Sequence, residues 1–420
     1  MPKYHIITFG CQMNKSDSER VAAVFEHLSY SKAEKDEEFD YLVVNACSVR
    51  QSAINRIWGI VRSFEKRKVK KKPIMILTGC LLSRDKKKFK KLFDFVFNIK
   101  KLNELEQFVN QKEVYTSENY FDLFPKPATE YLAYVPIMTG CNNFCSYCAV
   151  PYVRGRETSR DVKDILKEIR VLLKKGIKEI HLLGQNVNSY NPKDAFSKNN
   201  PYKQKFAMLL WEVSQLSGLE RLNFSSSHPK DLDDDVIQAM TMPKMINYLH
   251  LALQSGDNEI LKAMNRNYTV EHFETLINKL RKVKPGIAIG TDVIVGFPGE
   301  TKEQFENTLN FYKKIDLDIT FHSKYSTRPG TAAAKLKDDV SIDEKKRRWQ
   351  EFQDLMVAMS LKKNKKYVGK EVSVLIDKVT EDFSEGNSLE MKRVRTKTRY
   401  KIGDIVNLTV TKAQEWMLLT

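Results

Sequence analysis

A chain of 420 residues is too long for one ordinary core, so two or three domains are expected. Hydrophobic residues make up 42% and charged residues 29%, a globular balance that excludes a disordered chain, and no apolar run is long enough to span a bilayer. Lysine and arginine total 70 against 53 acids, a net charge of +17 that favours a polyanionic partner, because each neutralised phosphate releases counterions. Runs such as Lys86-Lys87-Lys88 and Lys362 to Lys366 also suit plain solvated helix faces. The N-terminus enters a strand-like run with no signal-peptide pattern, which reads as a cytoplasmic enzyme.

Strands are predicted at Lys3 to Phe9, Tyr41 to Asn45, Ile74 to Thr78 and Phe93 to Phe97, with helical patterns at Asp17 to Leu28 and Ala53 to Lys66. That alternation implies an α/β class with a parallel sheet between helices. Pro125 and Pro127 mark a linker over Thr116 to Thr129. Further strands are predicted at Tyr134 to Met138, Glu179 to Leu183, Arg221 to Phe224, Tyr248 to Leu253, Ala288 to Val295 and Asp318 to Tyr325. Helices fit Val162 to Lys174, Phe206 to Ser214, Asp233 to Met240, Val270 to Val283 and Lys302 to Lys314. Repeated βα units suggest a partial (β/α) barrel. A basic helix over Asp343 to Tyr367 follows, and then a tail of alternating short strands that reads as a small antiparallel β-barrel.

There are six cysteines, and in a reducing compartment their spacing suits metal ligation better than disulfides. Cys11, Cys47 and Cys80 each sit just past the C-terminal end of a different predicted strand, the edge at which open α/β sheets bind ligands. Such a cysteine taken singly is more often a small buried hydrophobe, but three at equivalent edges are expected to converge on a common group. Cys141-x3-Cys145-x2-Cys148 is the strongest signal. Zinc favours four ligands in paired arms, whereas three close thiolates suit three corners of a [4Fe-4S] cluster and leave one iron open to chelate S-adenosylmethionine.

With Tyr147 at the aromatic position before the third cysteine, this motif resembles the radical SAM superfamily. Gly10 to Asn14, Asp17 to Arg20, Asn45 to Arg50 and Thr78 to Cys80 further resemble the methylthiotransferase branch, of MiaB type. Val150 to Arg156, Leu182 to Tyr190, Asp292 to Thr301 and Ser326 to Thr331 are also similar. The tail is similar to a TRAM module, although Ser384 to Lys397 departs from its pattern. The resemblance implies an N-terminal methylthiotransferase domain over 1–115, a radical SAM core over 127–366 and an RNA-binding TRAM-like domain over 367–420. It implies two [4Fe-4S] clusters, an auxiliary one on Cys11, Cys47 and Cys80 and a radical one on Cys141, Cys145 and Cys148.

The implied reaction adds a methylthio group to C2 of N6-isopentenyladenosine beside the anticodon (position 37) of tRNA. Two S-adenosylmethionine molecules are used per product, one as methyl donor and one as radical source, because an unactivated aryl C–H bond resists polar chemistry. Implied partners are tRNA, an electron donor such as flavodoxin or ferredoxin, and a sulfur donor, with the enzyme a monomer and no membrane involved. Rival readings are methylthiolation of N6-threonylcarbamoyladenosine in tRNA or of a ribosomal-protein aspartate, or a non-catalytic iron–sulfur RNA-binding or redox protein. Gln185, Asn186, Gly296 and Arg266, with Tyr147, are the candidate cofactor contacts. Arg154, Arg156 and Arg328 are candidates for phosphate or carboxylate contact, and Lys345 to Arg348 for tRNA or for a solvated face. His228 and His250 read as structural.

Overall fold

Consecutive apolar residues, Leu42 to Val44 in Tyr41–Cys47 and Ile74 to Leu77 in Ile74–Cys80, put apolar side chains on both faces, so both sides of these strands must be covered by helices. The computed structural model, which describes residues 1–34, 37–48, 51–66, 72–110 and 120–420, has that arrangement. Strands β1 (Lys3–Phe9), β2 (Ser31–Lys32), β3 (Tyr41–Cys47), β4 (Ile74–Cys80) and β5 (Phe95–Val96) form a parallel sheet in the order β2-β1-β3-β4-β5. Helices α1 (Gln12–His27), α2 (Gln51–Lys66), α3 (Ser83–Phe89) and α4 (Leu102–Asn110) cover it. On one face Val43 and Ile76 pack with Val21, Phe25 and Leu105. On the other, Leu42, Val44 and Leu77 pack with Ile57, Val61 and Phe89. The predicted linker falls partly outside the described residues, as do Val49 and Arg50.

Contacts divide the chain into two compact units: residues 1–129, 134–142 and 148–160, and residues 130–133, 143–147 and 161–420. The first unit therefore also holds the short pair β7 (Met138–Thr139) and β8 (Thr158–Ser159), with helix α5 (Val150–Arg154) between them. Strand β6 (Leu132–Pro136) begins in the second unit.

In the second unit α6 (Val162–Lys174), β9 (Glu179–Leu183), α7 (Lys205–Ser214), β10 (Arg221–Phe224), α8 (Asp234–Ala239) and β11 (Tyr248–His250) alternate. They are followed by α9 (Asn258–Ala263), α10 (Val270–Val283), β12 (Ala288–Val295), α11 (Lys302–Ile315), β13 (Ile319–Lys324) and α12 (Ile342–Lys365). Strands β9 and β10 pair in parallel, as do β11, β12 and β13, and parallel bridges Leu222–Met245 and Ser227–Leu251 join the two sets. The result is an open, partial (β/α) barrel.

Ile289, Thr291 and Val293 are buried on the helix side of β12, and His322 of β13 packs on Trp349 and Phe352 of α12. Strand alternation therefore turns Asp292, Phe321 and their neighbour His250 to the opposite, concave face.

The tail is a curled, mostly antiparallel sheet of β14 (Glu371–Val379), β15 (Ser384–Ser388), β16 (Arg393–Thr396), β17 (Ile405–Thr409), β18 (Lys412–Ala413) and β19 (Leu418–Leu419). Its core is Val372, Val374, Ile376, Val394, Leu408 and Leu418. The divergent stretch Ser384 to Lys397 holds the β15–β16 hairpin, where Glu385 is ion-paired with Arg393 and Arg395. Arg221 ties this sheet to the barrel by donating to the carbonyls of Asn387 (3.0 Å) and Ser373 (2.9 Å).

Candidate active site

In the first unit β1 ends where predicted and β5 is shorter, but β3 and β4 each run two residues beyond their predicted ends, so Cys47 and Cys80 are their last residues and stand opposite each other in register. Gly79, at φ +109°, turns the chain just before Cys80, and a Cβ there would lie 2.2 Å from the carbonyl oxygen of Ala46. Cys11 caps the N-terminus of α1. Asn14 of that helix stands between the cysteines. Its Oδ1 accepts from the Cys11 backbone N–H at 3.3 Å and from Sγ at 3.6 Å, while its Nδ2 lies 3.9 Å from Cys80 Sγ. The sequence-predicted convergence of Cys11, Cys47 and Cys80 is thus present.

A buried charged network borders these thiols. Arg154, from α5, donates through Nε to Cys80 Sγ at 2.9 Å and through Nη2 to Asp17 Oδ2 at 2.6 Å. Tyr120 donates to the other Asp17 oxygen at 2.6 Å. Burial disfavours the Arg154 charge, but Asp17 and then Cys80 outweigh it and hold the guanidinium protonated above its usual range. The Cys80 thiol is pushed well above its ordinary pKa by its hydrogen bond with Cys47 and by burial, with Arg154 opposing. Arg154 therefore serves the cysteine site and is not exposed to phosphate as expected from the sequence. Arg156 stays at the surface.

Cys141 and Cys148 also belong to the first unit, where the Cys141 N–H bonds the Gly155 carbonyl at 3.2 Å. Cys145 belongs to the second, where the segment 143–147 is gripped by the turn after α9. Asn265 Nδ2 donates to the carbonyls of Asn143 (3.1 Å) and Phe144 (3.0 Å), and the Ser146 N–H bonds Met264 O at 2.9 Å. Arg266 Nη1 lies 3.4 Å from Cys145 Sγ while Nη2 bonds Ala252 O at 2.7 Å. Burial opposes the Arg266 charge, yet Tyr147, Tyr268 and Cys145 outweigh it and raise its pKa. Tyr147 itself packs against Ile260, Met264, Phe297 and Tyr325.

Past the C-terminal ends of β9 and β10, buried polar atoms lack protein partners: Gln185 Oε1, Asn186 Oδ1, both side-chain polar atoms of Asn188, Ser227 Oγ and His228 Nε2. Such atoms are costly unless a ligand or water pairs them. They fit the amino, carboxylate and hydroxyl groups of S-adenosylmethionine. His228 Nδ1 accepts from the Lys230 N–H, which leaves Nε2 as the unpaired donor. Burial, then Arg266 and Lys230, push the His228 pKa down to about 2, so the ring is neutral.

Gly296 is enclosed on its Cα side, where a Cβ would stand 2.4 Å from Lys345 Cγ. The run Lys345 to Arg348 is split: Lys345 and Arg348 are buried on Asp338 and Glu300, and Lys346 and Arg347 are exposed.

The concave face of the barrel carries groups that sequence reading missed or took as structural. His250 donates through Nε2 to Asp292 at 2.7 Å, Tyr248 donates to its Nδ1 at 3.2 Å, and Phe321, 55% exposed, lies beside the ring. Their period-two alternation across neighbouring strands was the available signal. Among the described residues no three Cys, His, Asp or Glu side chains close around a single metal ion. A cubane spaces its ligating sulfurs more widely than one ion does, so the three thiols of each set remain the donor type it needs.

Comparison with known proteins defines the class first. Residues 135–312 match the Radical SAM superfamily and residues 3–99 the Uncharacterized protein family UPF0004. The fold is similar to that of the radical S-adenosylmethionine methyltransferase TsrM from Kitasatospora setae (TM-score 0.56, 13% identity, 80% of this chain and 74% of that one). This is a radical SAM fold, and the superfamily implies a [4Fe-4S] cluster and S-adenosylmethionine. A tRNA-2-methylthio-N(6)-dimethylallyladenosine synthase from Clostridium novyi (strain NT) is 39% identical over 99% of this chain and 95% of its own. One from Caldicellulosiruptor saccharolyticus is 41% identical over 94% and 85%. The chain belongs to the family of tRNA-2-methylthio-N(6)-dimethylallyladenosine synthases.

Proposed function

We propose that this protein is a tRNA methylthiotransferase that places a methylthio group on C2 of N6-isopentenyladenosine beside the anticodon. What supports this most is the gathering of Cys11 and Cys80 about Asn14, with Cys47 bonded to Cys80, in a chain that also carries the Cys141 to Cys148 motif. Cys141, Cys145 and Cys148 would hold the radical cluster, and Cys11, Cys47 and Cys80 the auxiliary one. When bound, the clusters and S-adenosylmethionine supply the radical that removes the C2 hydrogen and the methylthio group that replaces it.

The protein's own groups orient and shield this chemistry. Gln185, Asn186, Asn188 and Ser227 offer unpaired donors and acceptors to S-adenosylmethionine. Tyr147 and Gly296 are read as further contacts, although the Gly296 N–H is bonded to Glu300. Arg266 steadies Cys145. Neutral His228 leaves its Nε2–H free to donate to a bound ligand without bringing an acidic proton. Phe321 presents an exposed ring for the adenine, and base stacking of this kind contributes about 1–3 kcal/mol. Phe321→Ala is therefore expected to weaken tRNA binding by about fivefold to about 150-fold while leaving uncoupled cleavage of S-adenosylmethionine intact.

We read 1–115, 127–366 and 367–420 as the auxiliary-cluster, radical and RNA-binding domains. The protein works as a cytoplasmic monomer fed by a flavodoxin- or ferredoxin-type electron donor and a sulfur donor. No helix among the described residues is long and apolar enough to cross a membrane. Expression in a host lacking this modification, with mass spectrometry of the tRNA adenosine beside the anticodon, tests the reading. A 2-methylthio-isopentenyl nucleoside is expected, and unchanged isopentenyladenosine, or methylthiolation of threonylcarbamoyladenosine, would overturn it.

A further inference from the structure

Arg154 lies just beyond Cys148, the last cysteine of the radical motif, yet its side chain ends at the other cysteine set. Helix α5 is short, carries Pro151 in its first turn and stops at Gly155, whose φ is +78°. One turn of it delivers the guanidinium into a site where Arg154 and Asp17 are 5% and 0% exposed. The fork is used divergently, with Nη2 on Asp17 at 2.6 Å and Nε on Cys80 Sγ at 2.9 Å. Asp17 is held from its far side by Tyr120, and Lys100 Nζ bonds the Arg154 carbonyl at 2.6 Å. A planar group locked at several points cannot swing away from the sulfur. Lysine, a single flexible ammonium, could serve Asp17 or Cys80 but could not reproduce the two fixed directions.

We infer that Arg154 is a positioning residue of the auxiliary cluster, fixing the Cys80 sulfur and raising the reduction potential of the cluster by an N–H···S bond to it. Hydrogen bonds to ligating sulfurs stabilise the more negative, reduced state. Because α5 follows the radical motif directly in the chain, the segment that carries one cysteine set also adjusts the other. The inference rests on the auxiliary cluster proposed above.

The test uses full-length protein carrying Cys141→Ala, Cys145→Ala and Cys148→Ala, so that only the auxiliary cluster forms on anaerobic reconstitution. After [15N]arginine labelling and reduction, pulsed EPR is expected to show a 15N coupling that Arg154→Lys abolishes. Redox titration is expected to give a more negative midpoint for Arg154→Lys, and a further shift for Arg154→Gln. Should Arg154→Gln not fold, the lysine variant, which keeps a charge beside Asp17, carries the comparison alone. A cluster that lacks the coupling in the parent and keeps its potential in the variants overturns the inference alone. Failure of the parent to take up any cluster overturns the auxiliary-cluster reading and the inference with it.

Discussion

Asp17 and Arg154 illustrate how unequal charged residues are. Both are buried and bonded to each other, and removing one leaves an uncompensated charge at a cost of about 3–5 kcal/mol. Asp17→Ala should lower unfolding stability by that order in urea titration. Glu351→Ala, which breaks an exposed pair with Arg347, should cost about 1 kcal/mol or less. His228 supplies a pH dependence whose sign follows from its depressed pKa. The unfolded ring takes a proton near pH 6.5 and the folded one near 2, so its stabilising contribution is intact above 6.5 and is lost as pH falls. Between pH 6 and 4 the loss approaches about 1 kcal/mol per unit, and His228→Gln should flatten that slope in denaturation curves. The cysteines were legible in the sequence because three fall at equivalent strand ends and the other three lie within one eight-residue motif. Asp17 and Arg154 were not, since one-dimensional pattern marks a charge as surface and cannot show two distant charges meeting in a core.

At the scale of elements, agreement tracks how much of the folding information is local. Helices α6 and α10 and strands β9, β10 and β12 have their predicted bounds, because their apolar period and flanking turns lie within the segment itself. Helix α1 starts earlier than predicted, at Gln12, since Cys11 and Asn14 form its cap and cysteine is not a usual capping residue. Strand β11 ends earlier than predicted, at His250, where the Thr291 hydroxyl donates to Leu251 O and accepts from the Leu253 N–H, replacing part of the ladder. At α11 the cap is local too: Thr301 Oγ1 accepts from the Gln304 N–H at 3.2 Å, and Gln304 Oε1 accepts from the Thr301 N–H at 3.0 Å. Thr301→Ala should cost about 1 kcal/mol, measured as a fall in melting temperature.

For the whole molecule, the +17 charge makes tRNA binding a salt-dependent process, with log K falling by roughly 0.7–0.9 per phosphate contact for each tenfold rise in salt. Only exposed cations contribute to that slope. Lys346→Ala and Arg347→Ala should reduce it, whereas Lys345→Ala and Arg348→Ala should lower stability instead, because those two side chains are buried on Asp338 and Glu300. The division of labour between the cysteine sets is the central claim, and one measurement addresses it directly. In anaerobically reconstituted Cys47→Ala enzyme with S-adenosylmethionine, dithionite and isopentenyladenosine-bearing tRNA, 5′-deoxyadenosine and methylthiolated tRNA are quantified together. Cleavage should persist while methylthiolation disappears; loss of both with the fold intact, or survival of both, would contradict the account.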